Sequence, residues 1–383
     1  MAAGTSRKIS AASARSHTRK PKPITSPKFS GVFKKILFVS FVGFLAWAYQ
    51  ATQPPQPKTC GSENGPPITA PRIQLKDGRF LAYKEFGVPR DTAKNKIVFV
   101  HGHDSCRHDV SAITSHLSAD IVESQGVYIV SFDRPGYGES DPNPKQTVKS
   151  IALDIEELAD QLGLGSRFYI VGFSLGGQIV WTCLKYIPHR LAGAALLAPV
   201  VNYWWAGLPS KMTKEVYEHQ LPRDKWAFRV AYYTPWLNYW WNTQKWFPAS
   251  SLIAHISEVL PQQDVELLPR FFSIKEKYMR TTQVRQQGEF ESIHRDLQIS
   301  FGKWEFDPTD LKNPFSENEG SSVHLWQGDK DPIVPVELQR YIAHHLPWIN
   351  YHELTGAGHL FPFADGMADS IIKALLDGNK GSS

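Results

Sequence analysis

Short apolar runs alternate with helical patterns along the chain from residue 73 onward. Apolar residues recur at helical spacing over 151–162 and again over 367–375. The runs between such stretches are only four or five residues long, as expected of strands that a parallel sheet buries on both faces; they lie at 97–100, 127–131, 168–171, 194–197 and 323–326. This alternation predicts the α/β class, with a mostly parallel sheet flanked by helices.

Two departures from the alternation predict further features. The runs 73–75 and 80–83 flank Asp77-Gly78, which is a strong signal for an opening β-hairpin. Between 200 and 314 no clear strand pattern is visible, and seven of the twelve tryptophans lie in the first half of that stretch. We therefore expect 200–314 to be an inserted, helical, aromatic-rich subdomain.

The tryptophans of this insertion allow two interpretations. Trp236 and Trp240 lie one helical turn apart, and such rings often serve only to pack an insertion onto a sheet. Alternatively the insertion is a lid whose aromatic side chains line an apolar pocket. Under the second interpretation the residues expected to contact substrate are Trp204, Trp205, Trp236 and Trp240.

The first 72 residues follow a different pattern. Residues 1–35 contain nine Lys or Arg and no acid, and we expect a disordered basic leader there. Residues 36–51 are uncharged and mostly apolar, which predicts a transmembrane anchor, although sixteen helical residues rise only about 24 Å against roughly 30 Å of hydrocarbon. Residues 52–72 contain six prolines and predict an extended linker.

Three targeting roles fit the N-terminal segment: a signal anchor, a cleaved signal peptide, or an organelle transit peptide, which an acid-free, Ser- and Arg-rich start suits. No small-residue cleavage site follows the apolar run, so we favour a single-pass signal anchor, with the transit-like N-terminus as the alternative. The basic flank then predicts a cytosolic N-terminus and a body on the far side of the membrane.

Charge and composition narrow the classes of partner and cofactor. The formal charge of +5 arises in the leader, since the rest of the chain has 42 − 9 = 33 basic residues against 37 acidic ones, a balance of −4. Proteins that bind nucleic acid carry their positive charge on the folded domain, so we do not expect nucleic-acid binding. Three cysteines without zinc-like spacing, and no complete phosphate-binding glycine motif, give no sign of a metal or a cofactor.

The strongest chemical motif is Gly172-Phe173-Ser174-Leu175-Gly176-Gly177, which follows the predicted strand 168–171 and opens a helical run. A serine on such a strand-to-helix turn, a nucleophile elbow, is held in strained geometry with its Oγ exposed. Gly172 and Gly176 remove the Cβ atoms that would clash at the turn. The N-terminus of the following helix favours an oxyanion.

A serine nucleophile requires a base and an orienting carboxylate, and suitable residues follow downstream. His359 lies in a glycine-rich turn after 351–354, and both Asp329 and Asp331 lie in a turn after 323–326. Both turns come at the C-terminal ends of predicted strands, where open α/β sheets place their sites.

The oxyanion of an acyl-transfer intermediate also needs backbone N–H donors. One is expected from Leu175, at the start of the helix. The second is expected from His103 in His101-Gly102-His103, which ends the run 97–100 and whose glycine lets the backbone approach closely.

Taken together, these motifs resemble the α/β-hydrolase fold superfamily, in particular its plant-type members with an N-terminal membrane segment. The resemblance covers roughly residues 73–376. It rests on motifs in the family's order, namely His101-Gly102, the DRPGYGES segment 133–140, the nucleophile elbow, and the Asp and His turns.

The resemblance implies a role for each residue of the site. Ser174 would be the nucleophile, His359 the general base and acid, and Asp331 rather than Asp329 the orienting carboxylate. The chain departs from the family at Asp104, a carboxylate beside the oxyanion position. We expect this side chain to point away or to pair with Arg107, since a negative charge there would oppose catalysis.

We therefore expect a membrane-anchored serine hydrolase that cleaves carboxylic esters or thioesters of hydrophobic substrates through an acyl-enzyme. Its hydrolase core would comprise 73–199 and 315–383, with 200–314 as the lid. A weakly catalytic small-molecule receptor or scaffold on the same fold is the alternative, and an acyltransferase would use every residue named above. The identity of the substrate and the oligomeric state stay open.

Overall fold

The computed structural model describes residues 1, 4, 29–254, 260–270, 284–315 and 321–377. The chain divides into two compact units, Met1–Thr52 and Gln53–Ser383. Most of the leader predicted for 1–35 lies outside the described residues.

The first unit contains one long helix, α1 (Phe29–Thr52). Its stretch Gly31–Thr52 has 22 residues and a mean hydropathy of 1.6. A helix of that length rises about 33 Å, so it is long enough to cross roughly 30 Å of hydrocarbon. It begins before the apolar run 36–51 and is correspondingly longer than predicted. A signal sequence near an N-terminus meets the same criteria of length and composition as a membrane anchor.

The second unit is built on an eight-stranded sheet with strand order β1-β2-β4-β3-β5-β6-β7-β8. β1 pairs antiparallel with β2, and β2 antiparallel with β4, while the other neighbouring pairs are parallel. This confirms the predicted mostly parallel sheet. The strands are β1 (Arg72–Gln74), β2 (Phe80–Gly87), β3 (Asn95–Val100), β4 (Val127–Phe132), β5 (Phe168–Phe173), β6 (Leu191–Leu197), β7 (Val323–Gly328) and β8 (Ile349–Leu354).

The hairpin predicted at Asp77-Gly78 is confirmed. Ile73 of β1 pairs with Leu81 of β2. The turn between them is closed by hydrogen bonds from the Leu75 N–H to the Arg79 carbonyl and from the Gly78 N–H to the Leu75 carbonyl. Gly78 has φ of 93°, a left-handed conformation that favours glycine.

Helices cover both faces of the sheet, as predicted. Successive residues of β3 point to opposite faces, so Val98 and Val100 join one hydrophobic cluster while Ile97 and Phe99 join another. The first cluster takes in the apolar stripe of the helix Val148–Gln161, and the second takes in that of Met367–Asp377. The sheet is therefore enclosed between two helical layers, and its carboxyl edge is left to carry loops.

The helices described in the second unit are α2 (Val110–Thr114), α3 (Ala119–Ser124), α4 (Val148–Gln161), α5 (Leu175–Tyr186), α6 (Ser210–Glu218), α7 (Pro222–Tyr233), α8 (Asn238–Thr243), α9 (Ser251–Ala254), α10 (262–270), α11 (Arg295–Phe301), α12 (Val336–His345) and α13 (Met367–Asp377). Helices α6 to α11 lie between β6 and β7 in the chain, and the residues described there include no strand. This is the stretch in which the sequence pattern predicted a helical insertion.

The proline-rich segment before β1, predicted as an extended linker over 52–72, makes backbone hydrogen bonds with the body. The Lys58 N–H donates to the Gln287 carbonyl at 2.9 Å. The N–H groups of Thr69 and Ala70 donate to the Glu139 carboxylate at 2.7 and 3.0 Å. The two ends of the segment 58–70 are therefore attached to the body by backbone hydrogen bonds, while most residues between them are exposed.

Candidate active site

The nucleophile elbow is formed where β5 passes into α5. Ser174 stands between them with φ of 56° and ψ of −119°, a conformation that is rare and strained for a residue with a side chain. The backbone crowds the turn so closely that a Cβ on Gly172 would collide with the Gly176 carbonyl, and one on Gly176 with the Val100 carbonyl. The glycines at these two positions therefore permit the strained turn on which the serine sits.

The structure brings Ser174, His359 and Asp331 together. His359 Nε2 lies 3.0 Å from Ser174 Oγ, and His359 Nδ1 lies 2.7 Å from an oxygen of Asp331. All three residues are less than a tenth exposed. Burial by itself lowers the pKa of His359, but the carboxylates of Asp331 and Asp264 outweigh it, so the pKa lies above the ordinary histidine value.

The two candidate carboxylates in the turn after β7 have different hydrogen-bond partners. One oxygen of Asp331 accepts the N–H groups of Ile333 and Val334 at 2.8 and 2.9 Å, which aims the other oxygen at His359. Asp329 instead accepts the Gly356 N–H at 2.6 Å and so ties the two turns together. The pairing with His359 thus falls to Asp331, the residue implied by the family resemblance.

The two expected oxyanion donors lie beside the elbow. Leu175 opens α5, and His103 follows β3 through Gly102, whose Cβ position would lie only 3.3 Å from the Ser174 Cβ. Within the described part of the chain, neither the Leu175 N–H nor the His103 N–H donates to a protein acceptor. Both groups are therefore available to a negative oxygen formed at Ser174.

A buried ionic network fixes the His101–His103 backbone. Arg134 donates to the carbonyls of His101 and Gly102 at 3.2 and 2.8 Å and to both oxygens of Asp296 at 2.6 and 2.8 Å. Asp296 also faces the His103 ring, with its oxygen 3.1 Å from Nδ1. Burial opposes the charge on Asp296, but Arg134 outweighs burial and holds the pKa of this carboxyl well below its ordinary value.

Replacing Asp296 with alanine is expected to lower the free energy of unfolding by about 3–5 kcal/mol, because the Arg134 guanidinium is fully buried and would lose its countercharge. Urea denaturation of the full chain would measure the change. Asp77→Ala is the matched control, since this carboxylate is 54% exposed in its pair with Arg79 and such pairs contribute only about 0–1 kcal/mol. Equal effects of the two substitutions would contradict the structural role given to Asp296.

Asp104 binds a residue that the sequence did not suggest as its partner. Its carboxylate binds Arg285 Nε at 2.6 Å, while the Arg107 guanidinium binds Asp133 and, at 2.9 Å, Glu139. Arg285 lies 181 residues away along the chain, and no local pattern links the two positions.

Asp264 is a site residue that the sequence analysis missed. It lies in α10 and is fully buried, and its two oxygens accept the N–H groups of His359 and Leu360 at 2.7 and 2.8 Å. A Cβ on Gly358 would collide with this carboxylate. The helical stretch between β6 and β7 therefore contributes a second carboxylate that holds the backbone of the histidine turn.

The predicted substrate-contacting tryptophans occupy different environments. Trp205 is buried in the main hydrophobic cluster against Trp304, and Trp204 stacks on Tyr232. Trp236 is 60% exposed, and Trp240 contacts Trp246. These ring contacts of Trp204, Trp205 and Trp240 are with other aromatic residues of the chain. A role of the four tryptophans in substrate binding therefore stays a prediction.

Comparison with known sequences supports the assignment of the fold. A family model described as alpha/beta hydrolase fold matches residues 95–365. The curated non-heme chloroperoxidase of Streptomyces lividans is 29% identical over 136 residues, which are 33% of this chain and 44% of that protein. The match thus spans less than half of that relative.

Solved structures share the fold at low sequence identity. A thermophilic esterase from Thermogutta terrifontis gives a TM-score of 0.53 at 20% identity, covering 79% of this chain and 97% of the esterase. An esterase from Exiguobacterium antarcticum gives a TM-score of 0.53 at 16% identity, covering 80% of this chain and 100% of the esterase. The enol-lactonase from Burkholderia xenovorans LB400 gives a TM-score of 0.51 at 16% identity, covering 79% of this chain and 98% of the lactonase. At such identities the likeness concerns the fold alone.

Proposed function

This chain belongs to the alpha/beta hydrolase fold family, and from that membership we propose that it is a serine hydrolase that cleaves carboxylic esters or thioesters of hydrophobic substrates. Fold alone does not carry the proposal, because one fold hosts many functions. The observation that carries it is the chain of two hydrogen bonds from Ser174 through His359 to Asp331. Nucleophilic catalysis by serine requires such a base and such an orienting carboxylate.

In the proposed reaction, His359 Nε2 accepts the proton of Ser174 Oγ while that oxygen attacks the substrate carbonyl. The negative oxygen of the tetrahedral intermediate binds the N–H groups of His103 and Leu175, and one such donor typically contributes about 3–4 kcal/mol. His359 then protonates the leaving alcohol or thiol, and the acyl group stays on Ser174. Water, deprotonated by the same ring, releases the acid and restores the serine.

The preference for hydrophobic substrates is supported by the apolar side chains beside the base. The Phe173 ring lies 5.1 Å from the His359 ring and 5.4 Å from that of Phe363, and both phenylalanines are buried. Both rings belong to a buried hydrophobic cluster, so the base lies against an apolar environment.

A fluorophosphonate probe tests this function on the purified full chain. We expect rapid modification of Ser174, located by peptide mass spectrometry, together with release of acid from aryl esters of hydrophobic acids. A folded chain that takes up no probe and hydrolyses no ester would favour the receptor or scaffold. If an added alcohol makes a new ester the main product, the chain is an acyltransferase.

The membrane assignment is part of the same proposal. The apolar helix α1 would anchor the chain as a single span, with the basic residues before it in the cytosol, the body beyond the membrane, and 200–314 acting as the lid. Protease protection in sealed vesicles tests this arrangement. Digestion of the body from the cytosolic side would contradict it, and loss of the first residues during import would favour the organelle-targeted alternative.

Asp264 is expected to tune the pH dependence of this reaction. Its carboxylate helps to raise the pKa of His359, and the reaction needs the neutral ring, so activity is lost as pH falls through that pKa. Asp264→Asn has nearly the same shape, but its one carbonyl oxygen can accept only one of the two backbone N–H groups. It also removes the negative charge, and this lowers the pKa of His359. The acidic limb of the kcat/KM profile should therefore move to lower pH.

The control for this shift is Asp365→Asn, which removes a carboxylate that is 74% exposed and binds Arg270. Its acidic limb should stay in place. An unmoved limb in Asp264→Asn, or a limb moved to higher pH, would show that Asp264 does not act on His359 through its charge.

A further inference from the structure

A group of aromatic rings lies at the surface of the α7–α8 region. We call it the aromatic surface, and it consists of Trp226, Trp240, Trp241, Trp246 and Phe247. Trp226 is 53% exposed, Trp246 77% and Phe247 54%. Ring contacts connect Trp226 to Trp241, Trp241 to Phe247, and Trp240 to Trp246. Exposed apolar rings grouped in this way are typical of an interaction site.

The turn that presents Trp246 and Phe247 is held by the carboxamide of one residue, Gln244. The Gln244 NH2 donates to the carbonyls of Trp241 and Phe247 at 3.0 and 2.8 Å. Its oxygen accepts the N–H groups of Trp246 and Phe247 at 2.5 and 2.8 Å. These four bonds satisfy the backbone of a turn whose tip carries exposed side chains at successive positions, 245–248. The hydrogen bonds of Gln244 therefore hold the backbone of this turn without any need to bury the rings of Trp246 and Phe247.

Basic residues are interleaved with the aromatic ones. Residues 222–248 hold four basic residues and one acid, a balance of 4 − 1 = +3, while the chain beyond residue 35 has a balance of −4. One of the four, Lys225, pairs with Glu218 of α6 at 2.7 Å, which reduces the local surplus of positive charge. The one acid, Asp224, is buried and accepts hydrogen bonds from Ser250 and Ser251. The Arg229 guanidinium lies 5.4 Å from the Trp226 ring, and Lys245 is exposed at the tip of the turn.

We infer that the aromatic surface is a second membrane contact, at which the body inserts Trp246 and Phe247 into the headgroup region of the bilayer. Tryptophan is among the residue types most enriched at membrane interfaces, where its ring is apolar and its N–H meets water. The nearby Lys and Arg side chains suit the same depth, because their stems can lie along apolar surface while their charged ends stay in the headgroup region. A protruding turn enters a fluid bilayer without needing a complementary pocket. The same chain also carries a helix long and apolar enough to cross a membrane.

This inference does not depend on the chemistry at Ser174, since none of its residues is part of the proposed triad or oxyanion site. It also assigns a role to aromatic residues that sequence reasoning would place inside the protein. Membrane contact by the body would hold a catalytic domain close to lipid-dissolved, hydrophobic molecules.

The test is the depth of a spin label at position 246 in the full chain, reconstituted in nanodiscs of phosphatidylcholine. Trp246→Cys can be labelled selectively, because the three native cysteines are buried and burial raises the pKa of their thiols, to about 12 for Cys60 and Cys183. The unsubstituted chain should take up no label. The matched control is Leu153→Cys on α4, which replaces another exposed apolar side chain, 42% accessible.

We expect the label at 246 to collide more often with oxygen and less often with a water-soluble nickel chelate, giving a several-fold higher ratio than the label at 153. Adding Lys245→Glu and Arg229→Glu should bring the ratio down toward that of the control. Equal ratios at 246 and 153 would overturn the inference. Spin–spin broadening between labels would overturn it as well, because the occupant would then be a second copy.

Discussion

Ser174→Ala is expected to lower kcat for ester hydrolysis by about 10⁴- to 10⁶-fold while leaving KM close to that of the unsubstituted chain. The hydroxyl is the only group that the substitution removes, and the proposed covalent step cannot begin without it. Substrate binding relies on the surrounding apolar side chains, which stay in place. Steady-state kinetics on aryl esters of increasing acyl length would measure both constants, and fluorophosphonate uptake should disappear together with kcat.

The effect should not come from misfolding. Alanine meets the same backbone strain as serine at φ of 56°, and Ser174 Oγ makes its hydrogen bond with His359 rather than with the core. Ser370→Ala on α13 is the matched control, because its hydroxyl bonds only the local Gly366 carbonyl and its loss should leave kcat unchanged. If Ser174→Ala retained kcat within the range of that control, the serine mechanism would be refuted.

The elbow could be predicted from sequence because its requirements are local. A strand, a serine flanked by glycines two positions away, and a helix are all encoded within a short stretch, and the sterics of the turn follow from the glycines themselves. The same holds for the Asp77-Gly78 hairpin and for the apolar stripe of α4, whose period is visible in the residues.

Asp264 could not be found in this way, because its role is defined by tertiary contact alone. It lies 95 residues before His359 in the chain, in a stretch without a motif, and it acts on backbone N–H groups, which leave no trace in residue identity. Arg285 and Asp104 are a second example, since either charge by itself is typical of an ordinary surface residue.

The tryptophans of the insertion show a third limit. Hydrophobicity predicts burial, and it does so correctly for Trp205, which packs against Trp304. It does not distinguish a ring that packs inside from one that is displayed for a partner, and Trp246 is 77% exposed. That distinction depends on the Gln244 hydrogen bonds, which are a property of the folded turn and not of any sequence pattern.

Asp331→Asn is expected to lower kcat by about 10⁴-fold, since an amide in place of the carboxylate favours the wrong histidine tautomer. The N–H groups of Ile333 and Val334 both donate to one oxygen of Asp331. In the asparagine variant they will select the carbonyl oxygen for that position. The amide NH2 is then turned toward His359 Nδ1, which must accept its hydrogen bond. The ring proton moves to Nε2, so Nε2 can no longer take a proton from Ser174.

Asp329→Asn is the matched control, because it lies two residues away in the same turn and makes the same chemical change. Asp329 accepts the Gly356 N–H through one oxygen, a bond that an amide oxygen can also accept, so kcat should stay within a few-fold of the unsubstituted chain. Comparing kcat of the two variants therefore shows which carboxylate orients the base. A large loss in Asp329→Asn with little change in Asp331→Asn would mean that the working enzyme pairs His359 with the other aspartate, and the 2.7 Å contact to Asp331 would then not be the catalytic one.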